Sequence, residues 1–118
     1  MVGGTPVIVD AYSFPGVDQT NPIPTTATNF NSAAGSPSIS ITTKNANSWV
    51  LDSPSIWGGV TLDSPTCTQN WDINIANQIT GASSSTMTPT CDRSWCGWTA
   101  NNNGDMWDDI AIEIKASG

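Results

Sequence analysis

The chain contains no histidine. That removes the commonest general base and the commonest transition-metal ligand, and it weighs against an enzyme. Basic residues are almost as scarce: Lys44, Arg93 and Lys115 stand against 10 acidic residues, for a net charge of −7. Binding a phosphate backbone by counterion release takes several lysines or arginines, and an anionic membrane surface draws on the same groups. Nucleic acid and anionic bilayers are therefore excluded as partners. Charged residues make up 11% of the chain, against about 25% in ordinary soluble domains. Ser, Thr and Asn must supply the polar surface, a composition typical of extracellular β proteins. No apolar run approaches the ~18 residues of a membrane-spanning helix, so membrane insertion is not expected. No basic-then-apolar leader is present either, which implies that one has been removed or that more chain precedes Met1. No stretch carries a helical 3.6-residue period.

What is present is a period of two. In Met106-Trp107-Asp108-Asp109-Ile110-Ala111-Ile112-Glu113-Ile114-Lys115, three isoleucines alternate with Ala111, Glu113 and Lys115. β-branched residues suit a pleated surface, and alternation marks a strand with one face inward. The hydropathy predicts a closing strand with Ile110, Ile112 and Ile114 in the core and the charged residues in water.

The rest of the chain supplies more strands. Residues 5–14 (Thr-Pro-Val-Ile-Val-Asp-Ala-Tyr-Ser-Phe) place Val7, Val9 and Ala11 on one face and Ile8, Tyr12 and Phe14, with Asp10, on the other. Pro15-Gly16 ends that strand, and residues 17–35 read as a loop. Residues 38–43 alternate strictly, with Ile39 and Ile41 inward. Residues 48–52 and 56–62 read as two strands, the second bulged at Gly58-Gly59. Residues 68–76 put Trp71, Ile73 and Ile75 on one face. Residues 80–90 read as a Ser/Thr-rich loop, residues 94–99 as another strand, and Asn101 to Asp105 as a hairpin turn signalled by Asn-Gly. Seven short strands in 118 residues, with turn signals between them, predict one all-β domain over residues 1–118. Residues 1–4 read as a flexible lead. The architecture is an antiparallel β-sandwich or jelly roll, and a 37% hydrophobic share provides a modest core.

Three pieces recur in a familiar order. They are Phe14-Pro15-Gly16-Val17-Asp18-Gln19-Thr20-Asn21-Pro22-Ile23, then Ser38-Ile39-Ser40-Ile41-Thr42-Thr43 leading to Trp49-Val50-Leu51, and finally Trp107-Asp108-Asp109-Ile110-Ala111-Ile112-Glu113-Ile114-Lys115. Together they resemble the C-terminal part of a jelly-roll-like, concanavalin-type β-sandwich domain of bacterial and archaeal extracellular proteins. The resemblance implies that fold and an extracellular setting, and it brings no catalytic residues. Two departures stand out. That domain has more strands before the Phe-Gly-Val-Asp corner, and the Cys91-Asp92-Arg93-Ser94-Trp95-Cys96 segment is not part of its pattern. A sandwich short of strands leaves unpaired edges. A strand from a neighbouring subunit can complete it, and head-to-tail completion builds open filaments.

Candidate sites are few. Cys67, Cys91 and Cys96 form an odd set, which points to one structural disulfide and a leftover thiol or an intermolecular bridge. By strand phase Cys67–Cys96 is favoured, followed by Cys67–Cys91 and Cys91–Cys96. Asp105, Asp108 and Asp109 follow three asparagines and offer calcium an oxygen-rich loop, although acidic turns are usually just solvated; no other cofactor is suggested. Of six tryptophans, Trp71 and Trp98 take core phases, whereas Trp57 and Trp95 are candidates for exposed rings that meet a partner subunit or a sugar. No Asn-x-Ser/Thr sequon occurs. Thr25, Thr26, Ser83 to Ser85 and Thr86 to Thr90 are candidate O-glycan acceptors. The expectation is a secreted or cell-surface structural subunit, not an enzyme, whose main partners are copies of itself. A glycan-binding module is the alternative.

Overall fold

The computed structural model describes residues 7–32, 35–101 and 106–117. The expected flexible lead, and the hairpin turn beyond Asn101, lie outside the described residues. The fold is all-β. Its strands are β1 (Thr26–Asn31), β2 (Ser38–Thr42), β3 (Ser48–Trp57), β4 (Leu62–Asp63), β5 (Thr68–Ile75), β6 (Ile79–Thr88), β7 (Arg93–Gly97), β8 (Thr99–Ala100) and β9 (Trp107–Ile114). Five of them form one antiparallel sheet in the order β1-β9-β3-β6-β5. The second layer is a narrow strip centred on β7 and β8, which Trp98 separates. β2 lies along one side of the strip and β4 along the other. Short bonds continue both flanks: Trp98 N–H donates to Pro37 C=O at 2.9 Å, and Thr66 N–H to Gly97 C=O at 2.9 Å.

The core fills the space between the layers in two clusters. One holds Ile56, Val60, Leu62, Ala82, Trp98, Ala100 and Trp107. The other holds Ile39, Ile41, Val50, Cys96 and Ala111. Ile39 and Ile41 thus point inward as their alternation predicts.

Several segments depart from the sequence reading. In β9 the inward side chains are Trp107, Asp109, Ala111 and Glu113, all buried, while Ile110 is 50% exposed on the opposite face. The isoleucine stripe therefore faces away from the second layer. Alternation fixes which residues share a face but not which face points inward. Here the outer face also has a partial cover, because Ile112 and Ile114 lie under Tyr12, Phe14, Val17 and Ile23.

The Ser/Thr-rich stretch read as a loop is β6, which sits between β3 and β5 and has six of its ten residues buried. Its hydroxyls are bonded inside the protein: Thr80 donates to Val60 C=O, Ser84 to the Asp52 carboxyl, and Thr88 to Ser48 C=O. Once bonded internally, a small hydroxyl fits between close-packed layers.

Residues 48–57 form one strand, not two, and it runs through Pro54. By register Pro54 lies opposite Ala82 of β6 and cannot donate to it. The Ser53 hydroxyl donates to Ala82 C=O instead, at 3.3 Å, which makes a proline tolerable in an interior strand. Residues 17–35, expected to be a loop, contain β1. The opposite error falls on residues 7–14, which carry strand-like alternation but belong to no ladder.

Candidate assembly surface

Residues 7–14 are an extended segment attached at one fixed point. Gly16 has φ +72°, a backbone conformation that glycine adopts at no steric cost. Immediately beyond it the chain is pinned to the end of β9. Val17 bridges Ala116, Asp18 N–H donates to Lys115 C=O at 2.9 Å, and Ser117 N–H donates to Gly16 C=O at 2.8 Å. The Asp18 carboxylate accepts from the N–H groups of Thr20 and Asn21 and meets Lys115 Nζ at 3.2 Å. The Asn21 N–H first, and then Lys115, hold its carboxyl below the ordinary aspartate range.

Before this pivot, no backbone group of residues 7–14 bonds to another backbone group among the described residues. Side chains alone hold the segment to the outer face of the large sheet. Phe14 stacks obliquely on Trp49 with centroids 6.5 Å apart, Trp71 Nε1 donates to Asp10 at 2.6 Å, and Ile8 packs over Gly81. Val7 and Val9 are 55% and 82% exposed. Burial of apolar groups and a ladder of backbone bonds are what make a strand stable. This one has half of the first and none of the second.

The outer face it crosses is apolar and incompletely covered. Phe30, Trp57, Met87, Met106, Ile73 and Ile110 are all between 47% and 75% exposed. Exposed apolar groups that gather, as Phe30, Trp57 and Met106 do here, mark interaction surfaces. At one corner Phe30, Trp57 and Met106 line a cleft of about 250 Å³ with Asp108 and Ser55, whose hydroxyl donates to the Asp108 carboxylate at 2.7 Å.

The large sheet ends in β1 on one side and β5 on the other. Glu113 N–H donates to Thr25 C=O, which sets the phase of the β1–β9 ladder. Residues 27, 29 and 31 direct their backbone groups toward β9, so Thr26, Thr28 and Phe30 direct theirs to the free edge. The six residues of β1 include no charge, proline or glycine, and the register has no bulge. Edges are ordinarily protected by such features.

The predicted site residues distribute as follows. Cys67 and Cys96 form a disulfide with a Cα–Cα distance of 5.4 Å, and Cys91 is a free, exposed thiol. The disulfide points to an oxidising compartment. Trp57 and Trp95 are 60% and 52% exposed. They lie on opposite outer surfaces, Trp57 on the large sheet and Trp95 on the strip, where its ring covers Gly97. Trp71 departs from its predicted core position: it is half-buried on the outer face because its strand is the sheet edge. Asp108 and Asp109 point to opposite faces of β9, so they cannot bind one ion together, and Asp105 lies outside the described residues. Of the candidate glycan acceptors, Ser83, Ser84 and Thr88 are buried.

Two carboxylate arrangements on the inner face were missed by sequence reasoning. Glu113 accepts from the backbone N–H groups of Lys44 and Asn45 at 2.9 and 3.0 Å and from the Ser48 hydroxyl at 2.8 Å, and so closes the turn before β3. Burial pushes its carboxyl upward, but these donors outweigh burial and leave it below the ordinary glutamate range. Asp52 and Asp109 face each other between the two core clusters. Asp52 accepts from Ser84 and from Trp98 Nε1 at 3.1 Å, whereas the Asp109 oxygens meet no donor. Adjacent buried carboxylates cannot both ionise. Burial first, and then the charge of Asp52, push Asp109 up to about 10. Asp109 therefore holds a proton at neutral pH and donates it to Asp52. No sequence signal marks either arrangement, because the partners are distant in the chain.

No family profile, curated protein or solved structure matches this chain.

Proposed function

We propose that the chain is an extracellular structural subunit that assembles with copies of itself into a filament or surface appendage, linked by β-strand complementation. The observation that supports this most is the state of residues 7–14, a strand by sequence whose backbone groups bond to no other backbone group among the described residues, in a subunit whose β1 edge directs the Thr26 and Thr28 backbone groups outward. Strand addition supplies main-chain bonds to both. When donor and acceptor are different surfaces the contact is head-to-tail, and it propagates unless the rotation closes. The incompletely covered outer face supports the same reading, since assembly would cover more of it. The disulfide and the uncharged, hydroxyl-rich composition support secretion. No catalytic step and no cofactor is part of this reading.

One observation favours the alternative, a carbohydrate-binding module: the cleft lined by Phe30, Trp57 and Asp108. Against it, Trp57 and Trp95 face opposite ways and cannot form one stacking platform.

The test is mass against concentration by light scattering, with electron microscopy of the same sample. Ordered polymers that lengthen with concentration are expected. A monomer at every concentration overturns the proposal and makes a glycan screen with Trp57→Ala the next step.

A further inference from the structure

The assembly reading leaves open where the donated strand goes, and the fold offers four edges. β4 has only two residues. β2 is partly capped: its Ser38 C=O accepts from Asn29 Nδ2 at 3.0 Å, and Ser40 Oγ accepts from Arg93. β5 is broken by a register shift between Gln69 and Trp71 and carries Asp72 in its middle. Bulges and charges on an edge discourage pairing. β1 has neither, and its Thr26 and Thr28 N–H and C=O groups face outward in an unbroken register.

The subunit's own segment does not run toward that edge. From the pivot beside Ala116 it crosses β3 at Trp49 and reaches β6 and β5, where Ile8 meets Gly81 and Asp10 meets Trp71. β1 lies at the other end of the sheet. Residues 7–14 of the same molecule are thus placed away from β1, and a strand they added there would go to another molecule.

We infer that residues 7–14 of one copy add as a sixth strand to the free edge of β1 in the next copy, an inference that rests on the assembly reading above. The chemistry of the two faces fits. Ile8, Tyr12 and Phe14 already pack on the apolar outer face of their own sheet, and on β1 the same side chains meet Phe30, which is 75% exposed, and Ile110. Val7, Val9 and Ala11 then lie on the inner side beside Ala27, next to the lip formed by β2. Fully extended, the segment reaches roughly 26 Å, enough to cover all six residues of β1.

The test uses full-length chains with Cys91→Ser to remove the free thiol. An Asp10→Cys protein, whose thiol shares the outer face with residues 28 and 73, is mixed with a mass-tagged Thr28→Cys protein, and in parallel with a mass-tagged Ile73→Cys protein that reports the β5 edge. A short bismaleimide then joins neighbouring thiols, and microscopy records polymers in each mixture. The expected result is polymers with at least tenfold more 10–28 than 10–73 heterodimer. Polymers with a smaller excess, or with neither product, overturn β1 as the acceptor and leave the assembly reading standing. Absence of polymers, in these mixtures and in the unmodified chain alike, overturns both. A second variant guards against damage from the labels. Thr28→Pro removes an outward N–H without touching the β9 ladder, and it should abolish polymers while the monomer keeps its unfolding curve. Polymers of normal length from Thr28→Pro would also overturn the inference.

Discussion

On the inner face of the five-stranded sheet, Asp52, Asp109 and Glu113 are fully buried, while on the outer face of the same sheet Trp57, Met87 and Ile110 are half exposed or more. Residue polarity would place these two groups the other way round. The difference shows that available partners decide which side of a strand is buried. Each inner carboxyl has either donors supplied by a turn or a proton shared with its neighbour. The outer hydrophobic groups have only part of an extended segment over them. In this account the inner face is finished within one chain and the outer face is not.

The strongest way to break the comparison is to remove an inner polar group. Glu113→Ala leaves the backbone N–H groups of Lys44 and Asn45 without their acceptor and the Ser48 hydroxyl with only the Asn45 carbonyl. A loss of about 4 kcal/mol is expected by urea denaturation, since each buried orphan costs roughly 1–3 kcal/mol. Removing the disulfide with Cys67→Ala and Cys96→Ala, which frees a loop spanning 29 positions, should cost about 3–4 kcal/mol by the same assay.

Next comes pH, where the two carboxyl sites act in opposite directions. Asp109 is pushed up to about 10 in the folded state from 3.8. The native state therefore holds the extra proton, and stability falls as pH rises above about 4. Glu113 lies below its ordinary 4.5 when folded, so its contribution is present above that value and is lost as pH falls through the lowered one. Thermal unfolding across pH should show maximal stability near pH 4–5. Asp109→Asn, which keeps a donor toward Asp52 without a titrating group, should flatten the alkaline side and raise stability at pH 8.

The smallest effect is expected on the outer face. Ile110→Ser should change monomer stability by no more than about 0.5 kcal/mol while weakening assembly. A large loss of monomer stability there would mean that the outer face is already part of the core.

The sequence made much of this fold legible, and the failures have physical causes. The alternation of Ile39 and Ile41, of Trp71, Ile73 and Ile75, and of Ile110, Ile112 and Ile114 located three strands, because the period of two is a local property. The inward side of β9 was not legible, since it depends on what covers each face. β6 was hidden because hydroxyl composition looks the same whether the groups meet water or buried acceptors. β1 lacks β-branched apolar residues and is a strand only because β9 lies beside it. Residues 7–14 are the converse, a local pattern without a neighbour. Of the candidate site residues, the exposure of Trp95 and the Cys67–Cys96 pairing followed from strand phase, which needs only spacing, and the exposure of Trp57 from its place beside Gly58-Gly59. The Asp52–Asp109 pair joins β3 to β9 and has no local signature.

Light scattering of the full chain beside a chain lacking residues 1–14, over the same concentration range, tests the central claim most directly. The account predicts that mass rises with concentration for the full chain and stays at that of one folded subunit for the shortened one. Equal growth of both would contradict it, because assembly would then not depend on the unpartnered segment.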